Sequence, residues 1–234
     1  MNIFDTWIIE FVNGFSGQSI LFDRIMTHIV ENHYLKGTPF VLTLVFLWFH
    51  KSTKIITNQS LIIMGLVGSF VSIVVARSLA LTLPFRVRPF ANPNISFLEP
   101  NGMTVDGLET WSSFPSDHAV LFFSLATCIY LIYRPAGVIA LLYAFFAVCF
   151  PRIYLGLHYP TDIIAGALLG AAITLVLSKK KIREPISNKA FYFINRFPGI
   201  FYVLFGLYLF QIATIFDKTR DILHKIVNLI EKFM

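Results

Sequence analysis

The sequence predicts an all-α polytopic membrane protein: one domain of six transmembrane helices with interfacial amphipathic helices at both ends. Two observations carry that expectation. The chain is 56% hydrophobic and 14% charged, where an ordinary soluble domain carries about 25% charged residues. Its mean hydropathy is +0.70, and the apolar residues fall in long runs separated by polar, proline- and glycine-bearing segments.

A formal net charge of +6 would suit a nucleic-acid partner in a soluble chain. Here the basic residues gather in alternate loops, as the positive-inside rule requires, so the expected partner is the lipid bilayer and no nucleic acid. Cys128 and Cys149 both sit inside apolar runs, as small core residues, and supply neither a disulfide framework nor a metal knuckle. No cleavable signal peptide is expected, because Asp5 stands where a basic region should be and no long apolar run follows.

Taken in order, residues 1–34 read as two interfacial helices. Ile3, Phe4, Trp7, Ile8 and Phe11 recur at helical spacing with Asp5 and Glu10 on the other side, and a second stripe follows at Leu21, Ile25, Met26 and Ile29. A pair of helices packed on the bundle fits the same pattern. Residues 35–216 form the six-span bundle, with spans over Leu35–Phe49, Gln59–Leu83, His118–Tyr133, Ala136–Phe150, Asp162–Ser178 and Phe197–Phe216. The fifth carries Gly166, Ala167, Gly170, Ala171 and Ala172, small residues that let membrane helices approach closely. Residues 217–234 read as an amphipathic tail, with Ile222, Leu223, Ile226, Val227, Ile230 and Phe233 on one stripe.

Six spans place Lys51, Lys54, Arg134, Lys179 to Lys181, Arg183, Lys189 and Arg196 on one side, which the positive-inside rule makes cytoplasmic. Three polar clusters then share the opposite face: Arg86-Val87-Arg88-Pro89, Phe114-Pro115-Ser116-Asp117-His118, and Arg152 with His158 and Asp162. Ionisable residues at the edge of a membrane core are expensive and point to function. Arginine holds phosphate oxygens through its planar, permanently charged fork. Ser116 sits where a helix begins, so its hydroxyl and the first free N–H groups suit an anion. Two histidines supply a nucleophile and a general acid. If a helix starts near His158, Asp162 lies on the same face and can orient it. The set serves phosphoryl transfer by positioning and charge, with no carboxylate cluster suited to Mg²⁺. Taken alone, His158 and Asp162 would equally serve a metal or a transported proton.

Jointly the clusters resemble the type 2 phosphatidic acid phosphatase family, whose pattern is K-x6-R-P, P-S-G-H and S-R-x5-H-x3-D. The resemblance covers residues 75–162 by motif. It implies a metal-independent lipid phosphatase with no cofactor. It further implies His158 as the nucleophile that becomes a phosphohistidine, Asp162 as its orienting partner and His118 as the acid for the leaving oxygen. Arg88, Arg152 and Ser116 would hold the phosphate oxygens. The sequence departs from the pattern three times. Leu81 stands at the lysine position, with Arg77 and Arg86 as rival substitutes; Asp117 replaces the glycine, and Pro151 replaces the serine. Asp117 is expected to pair with an arginine or cap the third span.

Within the family, Pro-Ser-Asp-His, the amphipathic N-terminus and the outward-facing site resemble the bacitracin-resistance type of undecaprenyl pyrophosphate phosphatase. That resemblance implies a bacterial cytoplasmic membrane protein with its site on the outer or periplasmic face, acting on a membrane lipid. Other lipid phosphates (phosphatidylglycerol phosphate, phosphatidic acid, lipid A) stay open as substrates. So do transfer to a second lipid and, from a different class, a transporter or scramblase.

Overall fold

The computed structural model describes residues 2–104 and 108–214, and every regular element among them is helical. The amphipathic tail expected over 217–234 lies outside the described residues. Short polar caps start the N-terminal helices. Asn2 Oδ1 accepts from Asp5 N at 2.7 Å to begin α1 (Ile3–Asn13). Ser19 Oγ accepts from Phe22 N at 3.3 Å to begin α2 (Ile20–Glu31), and Asn32 Oδ1 accepts from Leu35 N at 3.1 Å to begin α3 (His33–Phe49).

Helix α4 (Ile55–Thr82) has 28 residues. At about 1.5 Å per residue it exceeds the hydrocarbon thickness of a bilayer. Helix α5 (Asp117–Ile132) is the central post, with Ala119, Val120, Phe122, Leu125, Ala126 and Ile129 all fully buried. Helix α6 (Arg134–Tyr143), a π turn (Ala144–Cys149) and α7 (Phe150–Tyr154) form one continuous run. The π turn ends two residues before Pro151, whose ring would otherwise meet the carbonyl four residues back. Helix α8 (Pro160–Leu177) follows, then α9 (Lys180–Arg196) and α10 (Pro198–Ala213).

Ile55–Thr82, Arg134–Tyr154 and Pro160–Leu177 are long and apolar enough to cross a membrane, and α5 and α10 are shorter apolar helices. The small residues expected to permit close packing do so against α5. A Cβ on Gly166 would lie 2.8 Å from the Ser116 carbonyl oxygen, and one on Gly170 would collide with the Val120 carbonyl. Cys128 and Cys149 are free and buried. Cys128 packs onto Gly65 of α4 and donates to the Leu61 carbonyl at 3.4 Å.

Two features differ from the sequence reading. Residues 180–196, expected as a basic loop, fold into α9, which is tied to α4 by a 2.9 Å hydrogen bond between the Ser60 and Ser187 hydroxyls. The acidic side of the N-terminal helices faces the protein: Asp5 and Asp23 are fully buried while Ile3, Trp7 and Phe11 are exposed. Asp23 accepts from Asn101 N at 3.0 Å, Asn101 Nδ2 at 2.7 Å, Gly17 N at 3.1 Å and the Tyr154 hydroxyl. Burial opposes its charge, but those hydrogen bonds outweigh burial and hold its pKa below the ordinary carboxylate value.

Candidate active site

One end of the bundle holds a cavity of about 170 Å³, several times the roughly 30 Å³ that a water molecule occupies in the liquid. Its walls carry Arg88, Asp117, His118, Arg152 and His158 from the three clusters, together with Arg77 of α4 and with His33 and Lys36 from the start of α3.

Local chain geometry sets each group. Arg152 lies in the last turn of the continuous helix and folds back to donate from Nη1 to the Val148 carbonyl in the π turn at 2.7 Å. The chain then reverses through Gly156, whose φ of +61° is a conformation glycine reaches without Cβ strain. A Cβ there would also meet the Phe97 ring at 2.6 Å. The reversal lets Leu157 N and His158 N both donate to the Arg152 carbonyl, at 2.9 and 3.3 Å. His158 thus precedes α8 instead of lying on its face, and Asp162 is the third residue of that helix.

The closest partner of the His158 ring is the Ser113 carbonyl, 2.8 Å from Nδ1, with Asp162 Oδ2 farther away at 3.7 Å. A carbonyl only accepts, so Nδ1 carries the proton and Nε2 keeps its lone pair. Burial, reinforced by the charges of Arg88 and Arg152 and opposed by Asp162, holds the His158 pKa below the ordinary imidazole value. The ring is therefore a neutral nucleophile or base at neutral pH.

Asp162 is committed elsewhere as well. Oδ2 accepts from Tyr159 N at 2.8 Å, closing the first turn of α8, and Oδ1 takes a charged hydrogen bond from Arg86. Arg86 also donates to Thr161 Oγ1 at 2.9 Å and to Asp5 Oδ2 at 2.7 Å, and its guanidinium lies 4.2 Å above the Tyr159 ring centre. Asp5 accepts in turn from Thr161 N at 3.0 Å and Thr161 Oγ1 at 2.6 Å. The Arg86 carbonyl takes Ser113 N at 2.9 Å, the residue whose own carbonyl holds His158. Arg86, expected as a phosphate-binding cation, is thus built into the wall behind the histidine and does not line the cavity.

Arg77 does line it, in an ion pair with Asp117 and 5.0 Å from the Trp111 ring centre. Arg88 is held by three carbonyls: Nε donates to Leu108 at 3.0 Å and Trp111 at 3.2 Å, and Nη1 to Leu157 at 2.6 Å. Burial pulls its pKa down, and the charges of Asp117 and Asp162 oppose that; the guanidinium stays charged. Ser116 is fully buried and caps α5, its hydroxyl accepting from Ala119 N at 3.5 Å, and it lies outside the cavity lining. His118, in the first turn of α5, lines the cavity. Leu81, at the family's lysine position, is 87% exposed on the outside of α4.

Sequence reasoning missed Lys36, His33, Asp5 and the Ser113 carbonyl. Lys36 was findable, being an ionisable residue at the start of an apolar run; a backbone carbonyl carries no sequence signal.

Among known proteins, a 36% identical relative is the "bacitracin transport permease protein BcrC" of Bacillus licheniformis, matched over 57% of this chain and 61% of that one. The "undecaprenyl-diphosphatase BcrC" of Bacillus subtilis is 27% identical over 71% of this chain and 78% of its own. The "lipid A 4'-phosphatase" of Bacteroides thetaiotaomicron is 42% identical over a shorter stretch, 24% of this chain and 26% of that one. The chain thus spans less than two thirds of the length of the first and third of these. No solved structure matches. The profile of the PAP2 superfamily matches residues 60–183, just over half of the chain and all three polar clusters. The chain belongs to the PAP2 superfamily.

Proposed function

We propose that this protein hydrolyses the terminal phosphate of a lipid pyrophosphate, undecaprenyl pyrophosphate before others, at the non-cytoplasmic face of a bacterial membrane. The observation that carries the proposal is the buried neutral His158, its Nδ1 engaged by a carbonyl, in a cavity walled by Arg88 and Arg152. Two Bacillus relatives named BcrC, one of them an undecaprenyl-diphosphatase by name, support this substrate over other lipid phosphates.

His158 Nε2 attacks the terminal phosphorus, and the bond to the bridging oxygen breaks with its electron pair leaving on that oxygen. His118 supplies the proton, so the lipid monophosphate departs. Water then attacks the phosphohistidine, gives a proton to His118 and releases inorganic phosphate, restoring both rings. Arg88 and Arg152 stabilise the charge on the transferring group, and no step calls on a metal or cofactor. Transport, named for one relative, is less well supported, because the ionisable residues of the three clusters meet in one cavity at the end of the bundle.

One membrane domain would place residues 1–34 at the interface, with the six-span bundle following from residue 35. Lys51, Lys54, Arg134 and Lys179 to Lys181 would face the cytoplasm, opposite the cavity. The lipid tail would stay in the bilayer while its headgroup enters.

Purified protein in detergent with EDTA should release phosphate from undecaprenyl pyrophosphate at least about tenfold faster, as kcat/KM, than from phosphatidylglycerol phosphate or phosphatidic acid. Loss of release under chelation would overturn the metal-free mechanism. Equal release from a monophosphate lipid would overturn the substrate assignment.

A further inference from the structure

We infer that Asp117 competes with phosphate for Arg77: its carboxylate fills the anion position on that guanidinium until substrate displaces it, and so keeps the inorganic phosphate product weakly bound. The naming of substrate and product rests on the hydrolysis reading above. Both side chains line the cavity that also holds Arg88, His118 and His158, and they meet there in an ion pair. Asp117 is the first residue of α5, directly before His118, and Arg77 lies toward the C-terminal end of α4. The charge of Asp117 also bears on Arg88, favouring its cation. One carboxylate therefore draws on two of the cavity's arginines.

Exposure marks this pair as exchangeable. The two side chains are 37% and 24% exposed, whereas the carboxylates that hold Arg86, those of Asp5 and Asp162, are fully buried. A partly exposed ion pair is weakly held. A phosphate, with more charge and oxygens set for the guanidinium fork, is the stronger partner for arginine. The Trp111 ring, 5.0 Å from Arg77, steadies the guanidinium at the wall when the carboxylate leaves. The displaced carboxylate stays at the start of α5, where the positive end of the helix compensates its charge. A cavity built only to retain phosphate would gain by omitting the acid, which weakens the hold on each incoming anion. A diphosphate has a second phosphate with which to make up that loss, and the inorganic phosphate left after hydrolysis does not.

The test measures inorganic phosphate binding to the full-length protein, to Asp117→Asn and to the double variant Asp117→Asn with Arg77→Gln. Binding is read as a Tm shift and as the inhibition constant against farnesyl diphosphate hydrolysis. Asp117→Asn keeps the side-chain shape and should tighten phosphate by about 10-fold, the order expected for removing one nearby like charge from a partly exposed site. Adding Arg77→Gln should return binding to within about threefold of the unmodified protein, because the position that Asp117 vacates is then gone. Tightening that survives in the double variant would place the effect of Asp117 on Arg88 and overturn the competition for Arg77. Phosphate binding unchanged or weakened in Asp117→Asn would leave Asp117 as an acid that favours the first turn of α5, and would overturn the inference. If the unmodified protein hydrolysed no lipid, the Tm shifts would still decide. Tightening in Asp117→Asn that Arg77→Gln reverses would uphold the competition while the hydrolysis reading fell.

Discussion

His158→Ala should lower phosphate release by about 10⁴-fold or more while leaving the protein folded, because the proposed mechanism places the covalent intermediate on His158. The fold should tolerate the change, since the ring's one close hydrogen bond is to the Ser113 carbonyl, worth about 1 kcal/mol. The pH profile of the unmodified protein follows from the same group. Burial lowers the His158 pKa in the folded state, so the ring stays neutral and nucleophilic at pH values where a free imidazole is already protonated. The acid limb of kcat/KM should therefore fall below the free-imidazole value of about 6.5. For stability the sign is that of a depressed folded pKa. The unfolded chain takes up the proton first on acidification, so the contribution present above about pH 6.5 is lost as pH falls through the folded value. His158→Ala should remove that part of the acid sensitivity. Retention of more than about 1% of the activity would remove His158 from the nucleophile's role.

Asp5→Ala should destabilise the protein by roughly 3 kcal/mol, the low end for removing one partner of a buried ion pair, and lower kcat as well. Asp5 is fully buried and holds Arg86, Thr161 N and the Thr161 hydroxyl. Arg86 keeps Asp162 and is itself 26% exposed, which limits the loss. The effect on rate arises because Arg86 also bears, through its own carbonyl, the irregular segment at Ser113 that orients His158. A thermal melt paired with kcat reads both effects. A stability loss at unchanged kcat would limit Asp5 to holding α1 in place. The exposed Ile3, Trp7 and Phe11 on the opposite side of α1 give that helix a face for lipid while Asp5 ties it to the catalytic wall.

The helices that bracket the site were legible because their apolar runs and end signals agree. Pro160 opens α8, Ser116 caps α5, and both boundaries lie within two residues of the sequence reading. The three clusters were legible because charged groups are rare in such a chain. Helix α9 was not, since a stretch with Lys180, Lys181, Arg183 and Glu184 has the polarity of a loop and carries Pro185. Its helicity rests on contacts with α4 and α10 that no local pattern announces. Which arginine stands nearest the missing lysine was equally hidden. Arg77 and Arg86 are both close to Leu81 in sequence, and only the fold shows one paired with Asp117 on the cavity wall and the other behind it. The burial of Asp5 was not legible, because amphipathicity distinguishes an apolar side from a polar one and does not tell solvent from a buried carboxylate network on the polar side.

The most direct measurement is on the intermediate itself. The protein would be mixed with farnesyl diphosphate, quenched in alkali within one turnover, digested and mapped by mass spectrometry with phosphorus NMR of the labelled peptide. The geometry at Ser113 requires phosphate on His158 at Nε2, since Nδ1 is held by the carbonyl. Phosphate on Nδ1, on His118, or on no protein group at all during turnover would contradict it.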